Sequence, residues 1–136
     1  MAALDTNVLV RFLVDDDAGE VVSARKLIRK AAIKGETLFI PVTVVLELEW
    51  VLRSSFGFGK AQIMRTLSSL LSAVELTLES EDALELALVL HRQGAADLSD
   101  CLHVALAGRA GEQPFWTFDR SAAKLQGARL LAGADD

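Results

Sequence analysis

The chain has 136 residues, enough for one domain with a real core and too few for two comfortable ones. Hydrophobic residues make up 51% of it, yet no apolar run approaches the roughly 18–20 residues of a membrane span, so no membrane-spanning helix is expected. The net charge of −5 argues against a protein that simply coats nucleic acid, and Cys101, the single cysteine, rules out an intrachain disulfide.

Along the chain, short apolar runs alternate with helical patterns. Residues 2–5 read as a strand, and the spacing of Val8, Leu9, Phe12 and Leu13 predicts a helix over 7–14. Asp5 and Arg11 break the opening apolar run, so no signal peptide is expected and the cytoplasm is the expected location. After a solvated acidic turn at 15–17 comes a helix over 18–34, with Asp17 as N-cap, Glu20 in the capping-box position and Gly35 as the stop. A strand over 37–40 ends at Pro41, and Thr43 is expected to cap a helix that runs to about residue 55. A helix over 61–72, a strand over 74–78 and a helix over 81–93 capped by Ser80 follow. The last elements are a helix over 98–110, a strand over 115–118, a short helix over 121–126 and a strand over 128–131. Such alternation implies an α/β fold with a mostly parallel sheet and helices on both faces, all in one domain over 1–136. Functional residues then collect beyond the carboxyl ends of the strands.

Asp5 and Asp119 occupy two such strand ends. Glu47 lies at the edge of an apolar stripe with Val44, Leu48, Val51 and Leu52, whereas Glu49 faces another side. Asp100 sits in the first turn of its helix, and Asp97 three residues earlier. Each acid has a plain structural use: Asp5 and Asp119 as caps, Asp97 and Asp100 as helix-start charges, Glu47 as a partner of Arg11 or Arg53. Taken jointly, clustered carboxylates repel unless a cation joins them, and oxygen-only donors suit Mg²⁺ or Mn²⁺ rather than zinc. With bound cation they orient a water for phosphodiester hydrolysis, the chemistry of a nuclease.

Four segments, LDTNVLVRFL, PVTVVLELEWVLR, ADLSDCLHVALA and FWTFDR, resemble the ordered motif regions of PIN-domain ribonucleases, in particular the VapC-type toxins of toxin–antitoxin pairs. The resemblance implies a three-layer α/β/α sandwich and a Mg²⁺- or Mn²⁺-dependent endoribonuclease that acts on RNA. Motif by motif it implies Asp5, Glu47, Asp100 and Asp119 as metal-site acids and Asp97 as an auxiliary one. Thr6, Asn7 and Thr117 fall where polar supporting residues sit. It further implies a homodimer held inactive by a cognate antitoxin.

Basic groups must supply RNA contact locally. Arg11 and Arg120 rank first as phosphate or antitoxin contacts, while Arg25, Lys26, Arg29 and Lys30 read as a solvated helix face. His103 is expected to be a hydrogen-bonded structural residue rather than a general acid, and Trp50 and Trp116 to pack in a core or interface rather than stack on bases. Three other functions compete. A receiver-like phosphoacceptor domain would need a phosphorylatable Asp after a central strand and a lysine ending a late one; the chain offers Pro41, Glu79 and Asp119 there. A haloacid-dehalogenase-like phosphatase would place its second aspartate at Asn7. A non-catalytic PIN-like subunit is disfavoured by the intact acids.

Overall fold

The computed structural model describes residues 2–14 and 18–131. Asp17 as N-cap and the acidic turn at 15–17 lie outside those residues. The chain divides into two compact units, Met1–Glu79 and Ser80–Asp136.

In the first unit, β1 (Ala2–Ala3), β2 (Leu38–Ile40) and β3 (Leu76–Leu78) form a parallel sheet in the order β1-β2-β3. Leu38 is in register with Leu76 and Ile40 with Leu78, and all four side chains are buried while Phe39 and Thr77 alternate outward. Period-two alternation thus delivers one apolar face per strand. α1 (Thr6–Leu13) packs on α2 (Ala18–Ile33) and on α3 (Val42–Ser55); α3 also packs on α4 (Lys60–Ser72). Leu9, Val45, Leu48, Leu52 and Leu67 are wholly buried among these helices. Removing one such leucine side chain costs about 2–5 kcal/mol.

α2 ends as the sequence leads one to expect. Gly35 adopts φ +71°, which lets the Glu36 N–H reach the Ala31 carbonyl (2.9 Å) and the Gly35 N–H reach Ala32 (3.1 Å). α3 begins differently from the expectation. Pro41, not Thr43, is its N-cap, and the Val42 N–H is satisfied by Glu79 Oε1 at 2.8 Å, at the end of β3. A cap supplied from 37 residues away leaves no local signal in the sequence.

In the second unit, α5 (Glu81–Gln93) packs on α6 (Leu98–Arg109) through Leu84, Leu88, Leu98, Cys101, Leu102 and neighbours, and α6 packs on β4 (Phe115–Thr117). β4 pairs in parallel with β5 (Ala128–Leu130). Ser80 stands at the start of α5 but makes no side-chain cap, and its backbone is left-handed, φ 55°. The expected helix over 121–126 is a single 3-10 turn, Ala122–Lys124, too short for α-helical hydrogen bonding. Where one sheet was expected, strand hydrogen bonds form two parallel sheets, one in each unit. No helix among the described residues is long and apolar enough to cross a membrane.

Candidate active site

Strand ends and helix starts carry the acids in both units. In the first unit β1 hands over to α1 at Asp5, whose Oδ1 accepts the Thr6 N–H at 2.7 Å as the helix N-cap. Thr6, only 3% exposed, turns its hydroxyl toward α3 and donates it to Glu47 Oε1. One buried residue therefore contacts both acids, Asp5 through its backbone and Glu47 through its side chain. Asp5 Oδ2 and Glu47 Oε2 accept no hydrogen bond from any described residue. Both carboxylates are solvent-exposed, as is Asn7.

Glu49, expected to face another side than the apolar stripe, is the buried acid of α3, and Glu47 is exposed. α3 buries Val45, Leu48, Glu49 and Leu52, a stripe turned by one residue from the expected one. Glu49, 9% exposed, is balanced by Arg53 one helical turn on, Nε to Oε1 at 3.0 Å. Arg53 is thus committed to Glu49, and Arg11 to an ion pair with Glu20 that joins α1 to α2. Neither arginine pairs with Glu47, whose partner is Thr6. Arg11 lines a cavity of about 430 Å³ between those helices, with Asn7, Ser23 and Leu27.

In the second unit Asp97 is the N-cap residue of α6 but makes no side-chain cap. Asp100 follows in the first turn, half-buried. Burial pushes its carboxyl above the ordinary 3.8, and the negative charges of Asp119 and Asp97 push it further; His103 opposes them. Asp119 emerges from β4 on a turn fixed at both ends. Its N–H donates to Thr117 Oγ1 (3.0 Å), and its Oδ1 accepts the Ala122 N–H (2.8 Å), capping the 3-10 turn. No described residue donates a hydrogen bond to, or forms an ion pair with, the side chains of Asp97 and Asp100. Carboxylate oxygens of this kind are the donors that hard divalent cations take. Among the described residues no group of three or more His, Cys, Asp or Glu side chains is already gathered as a metal cage.

The other residues singled out by the sequence divide between surface and core. His103 is exposed and stacks on Phe115, centroids 5.9 Å apart, with no hydrogen-bond partner among the described residues. Of the core or interface packing expected for Trp50 and Trp116, the core is overturned: they are 57% and 51% exposed. Cys101 is buried and weakly bonded to the Ala96 carbonyl, far from nucleophilic use. Arg120 is exposed beside Asp119. Arg25, Lys26, Arg29 and Lys30 are all exposed on α2. The Glu49–Arg53 pair was the residue pair most open to detection, since its i,i+4 spacing is written in the sequence.

Comparison with known proteins adds the family. The PIN domain model matches residues 2–128, which spans both units. The chain is also 26% identical over 125 residues to a VapC ribonuclease of Aquifex aeolicus (strain VF5), covering 92% of each chain.

Proposed function

This chain belongs to the PIN-domain family, and on that premise we propose that it is a ribonuclease whose hydrolytic centre is built from Asp5, Glu47, Asp100 and Asp119, with Asp97 as an auxiliary acid. The observation that carries the proposal is Asp100: a half-buried carboxylate with no hydrogen bond or ion pair from the described residues, whose ionisation is disfavoured by burial and by the charges of Asp119 and Asp97 and favoured by His103. A fold maintains such repulsion where a cation offsets it in use. Similarity to a VapC ribonuclease supports RNA as the substrate, and family membership sets aside the receiver-like and phosphatase readings.

The all-oxygen donor set favours Mg²⁺ or Mn²⁺. When bound, such an ion supplies positive charge that acidifies a nearby water and offsets charge building on the scissile phosphate. The side chains do the rest. Thr6 fixes Glu47 by occupying Oε1, so that Oε2 is left to accept a proton from the attacking water. Thr117 fixes the turn that presents Asp119, leaving Asp119 Oδ2 outward while Oδ1 caps the 3-10 turn. Water attacks phosphorus in line with the departing 3′ oxygen; the P–O3′ bond breaks and solvent protonates the leaving oxygen.

The same proposal extends to biology: a cytoplasmic toxin, homodimeric and restrained by a cognate antitoxin. Exposed apolar side chains such as Val22 (63%), Leu27 (41%) and Ile33 (79%) on α2 supply surface for a protein partner. Incubation of the purified chain with unstructured RNA tests the enzymatic part. Cleavage in Mg²⁺ or Mn²⁺ that stops with chelator is expected. Undiminished cleavage in chelator would refute the metal-assisted mechanism, and intact RNA under every condition would make the chain a non-catalytic PIN-like subunit.

A further inference from the structure

The two faces of the β4–β5 ribbon carry different chemistry. Phe115 and Thr117 share one face, where Phe115 stacks on His103 of α6. Trp116 projects from the other, in register with Arg129 of β5. The Arg129 guanidinium lies over the Trp116 ring, 5.5 Å from its centroid, and the indole is still half exposed. Phe118, 74% exposed, follows at the strand's end and immediately precedes Asp119. Leu131, 44% exposed, lies alongside, its N–H bonded to the Thr117 carbonyl.

Two large aromatic rings and a stacked guanidinium left to water, next to a proposed catalytic acid, require an occupant. We propose that Trp116, Phe118 and Arg129 form a stacking platform that holds unpaired nucleobases of the RNA beside Asp119. The inference rests on the ribonuclease assignment and adds the means by which that site grips its substrate. With a net charge of −5, the protein gains nothing from overall attraction to RNA, so local contacts must bind it. Every base offers a π-face to an aromatic ring, and arginine adds both stacking and phosphate attraction. In a duplex those π-faces are already covered by neighbouring bases, so unpaired nucleotides are the ones the platform can take. A second copy of the chain is the competing occupant. The exposed Arg129 and Arg120 make this patch positive, so a second copy of the same patch meets it with like charge and a polyanion with opposite charge.

The test uses Trp116 as its own reporter. In the full-length Trp50→Phe, Asp100→Asn double variant, Trp116 is the sole tryptophan and RNA is not consumed. Titration with an unstructured oligouridylate is expected to quench Trp116 emission; a perfectly paired RNA duplex of equal length is expected to leave it nearly unchanged. Adding Phe118→Ala or Arg129→Ala should weaken oligouridylate affinity about tenfold each. In the cleavage-competent background the same two substitutions should raise KM about tenfold and hold kcat within twofold. Emission indifferent to RNA, equal quenching by duplex, or unaltered affinity in both variants would each overturn the platform. So would a loss confined to self-association on size-exclusion chromatography, which would give the face to a second copy. Cleavage with no response at Trp116 refutes the platform alone; quenching by unpaired RNA from a chain that cuts none refutes the ribonuclease assignment and keeps the platform.

Discussion

The two units differ in how they hold their acids, although Asp119 of the second is fixed by hydrogen bonds as Asp5 of the first is. In Met1–Glu79, Asp5 and Glu47 each accept a hydrogen bond from Thr6, a residue buried beneath them, so their geometry is set by the fold itself. In Ser80–Asp136, Asp97 and Asp100 have no such support from described residues, and Asp100 is strained electrostatically by Asp119 and Asp97. Under the proposed function, preorganisation by hydrogen bonds and tension between like charges are two ways of presenting oxygen to a cation. The first fixes direction; the second supplies a reason for the ion to bind.

The largest effect expected is on catalysis and should be shared by both units. Asp5→Asn and Asp100→Asn should each lower the RNA cleavage rate by about 100-fold or more, measured with purified protein in Mn²⁺. Circular dichroism should show both variants folded. If only the second unit's acid matters, the equivalence of the two arrangements breaks.

Next comes the support beneath the first pair. Thr6→Val keeps shape but removes the hydroxyl that Glu47 accepts. Cleavage should fall about tenfold and stability by about 1 kcal/mol in urea denaturation, with Thr6→Ser restoring both. Arg53→Ala supplies the contrast between the two acids of α3. It leaves buried Glu49 without its ion-pair partner, and should cost about 1 kcal/mol because Arg53 itself is half solvated. Its cleavage rate should match wild type, marking Glu49 as structural and Glu47 as functional.

The smallest effect concerns pH. Asp100 is protonated more readily folded than unfolded, because its folded carboxyl lies above 3.8. The folded state therefore binds more protons just above pH 3.8, and this group's contribution to stability improves as pH falls through its folded value. At neutral pH without metal, Asp100→Asn should raise Tm by on the order of 1 °C, the size of a solvent-screened like-charge interaction. That gain should vanish as pH approaches 3.8 from above. A variant equally stabilised at both pH values would remove like-charge tension from the picture.

Much of the fold was legible because its signals are local. Alternation found β2 and β3, Gly35 marked the end of α2, and apolar spacing found the helices, with ends off by one or two residues. What escaped depends on distant partners. Glu79 caps α3 across 37 residues, which is why Thr43 looked like the cap. The partition of five strands into two sheets is likewise set by tertiary packing. Asp5 and Asp119 are legible at strand ends and Asp97 and Asp100 at a helix start, whereas the buried face of α3 is not the one its spacing suggests. Val45 rather than Val44 faces inward, and Glu49 rather than Glu47 is the buried acid. The hydroxyl that holds Glu47 was foreseen only as a residue type, since its target lies 41 positions away. Trp116 shows the opposite limit: apolar neighbours in sequence do not imply burial when strand alternation turns a side chain outward.

Whether carboxylates contributed by both units serve a common divalent ion is best decided by calorimetric titration of Mn²⁺ into wild type, Asp5→Asn and Asp100→Asn, with RNA absent. The expected outcome is a binding isotherm in wild type that either substitution, alone, weakens at least about tenfold. An Asp5→Asn protein that takes up Mn²⁺ as wild type does would contradict it, leaving the first unit's acids with no part in metal binding.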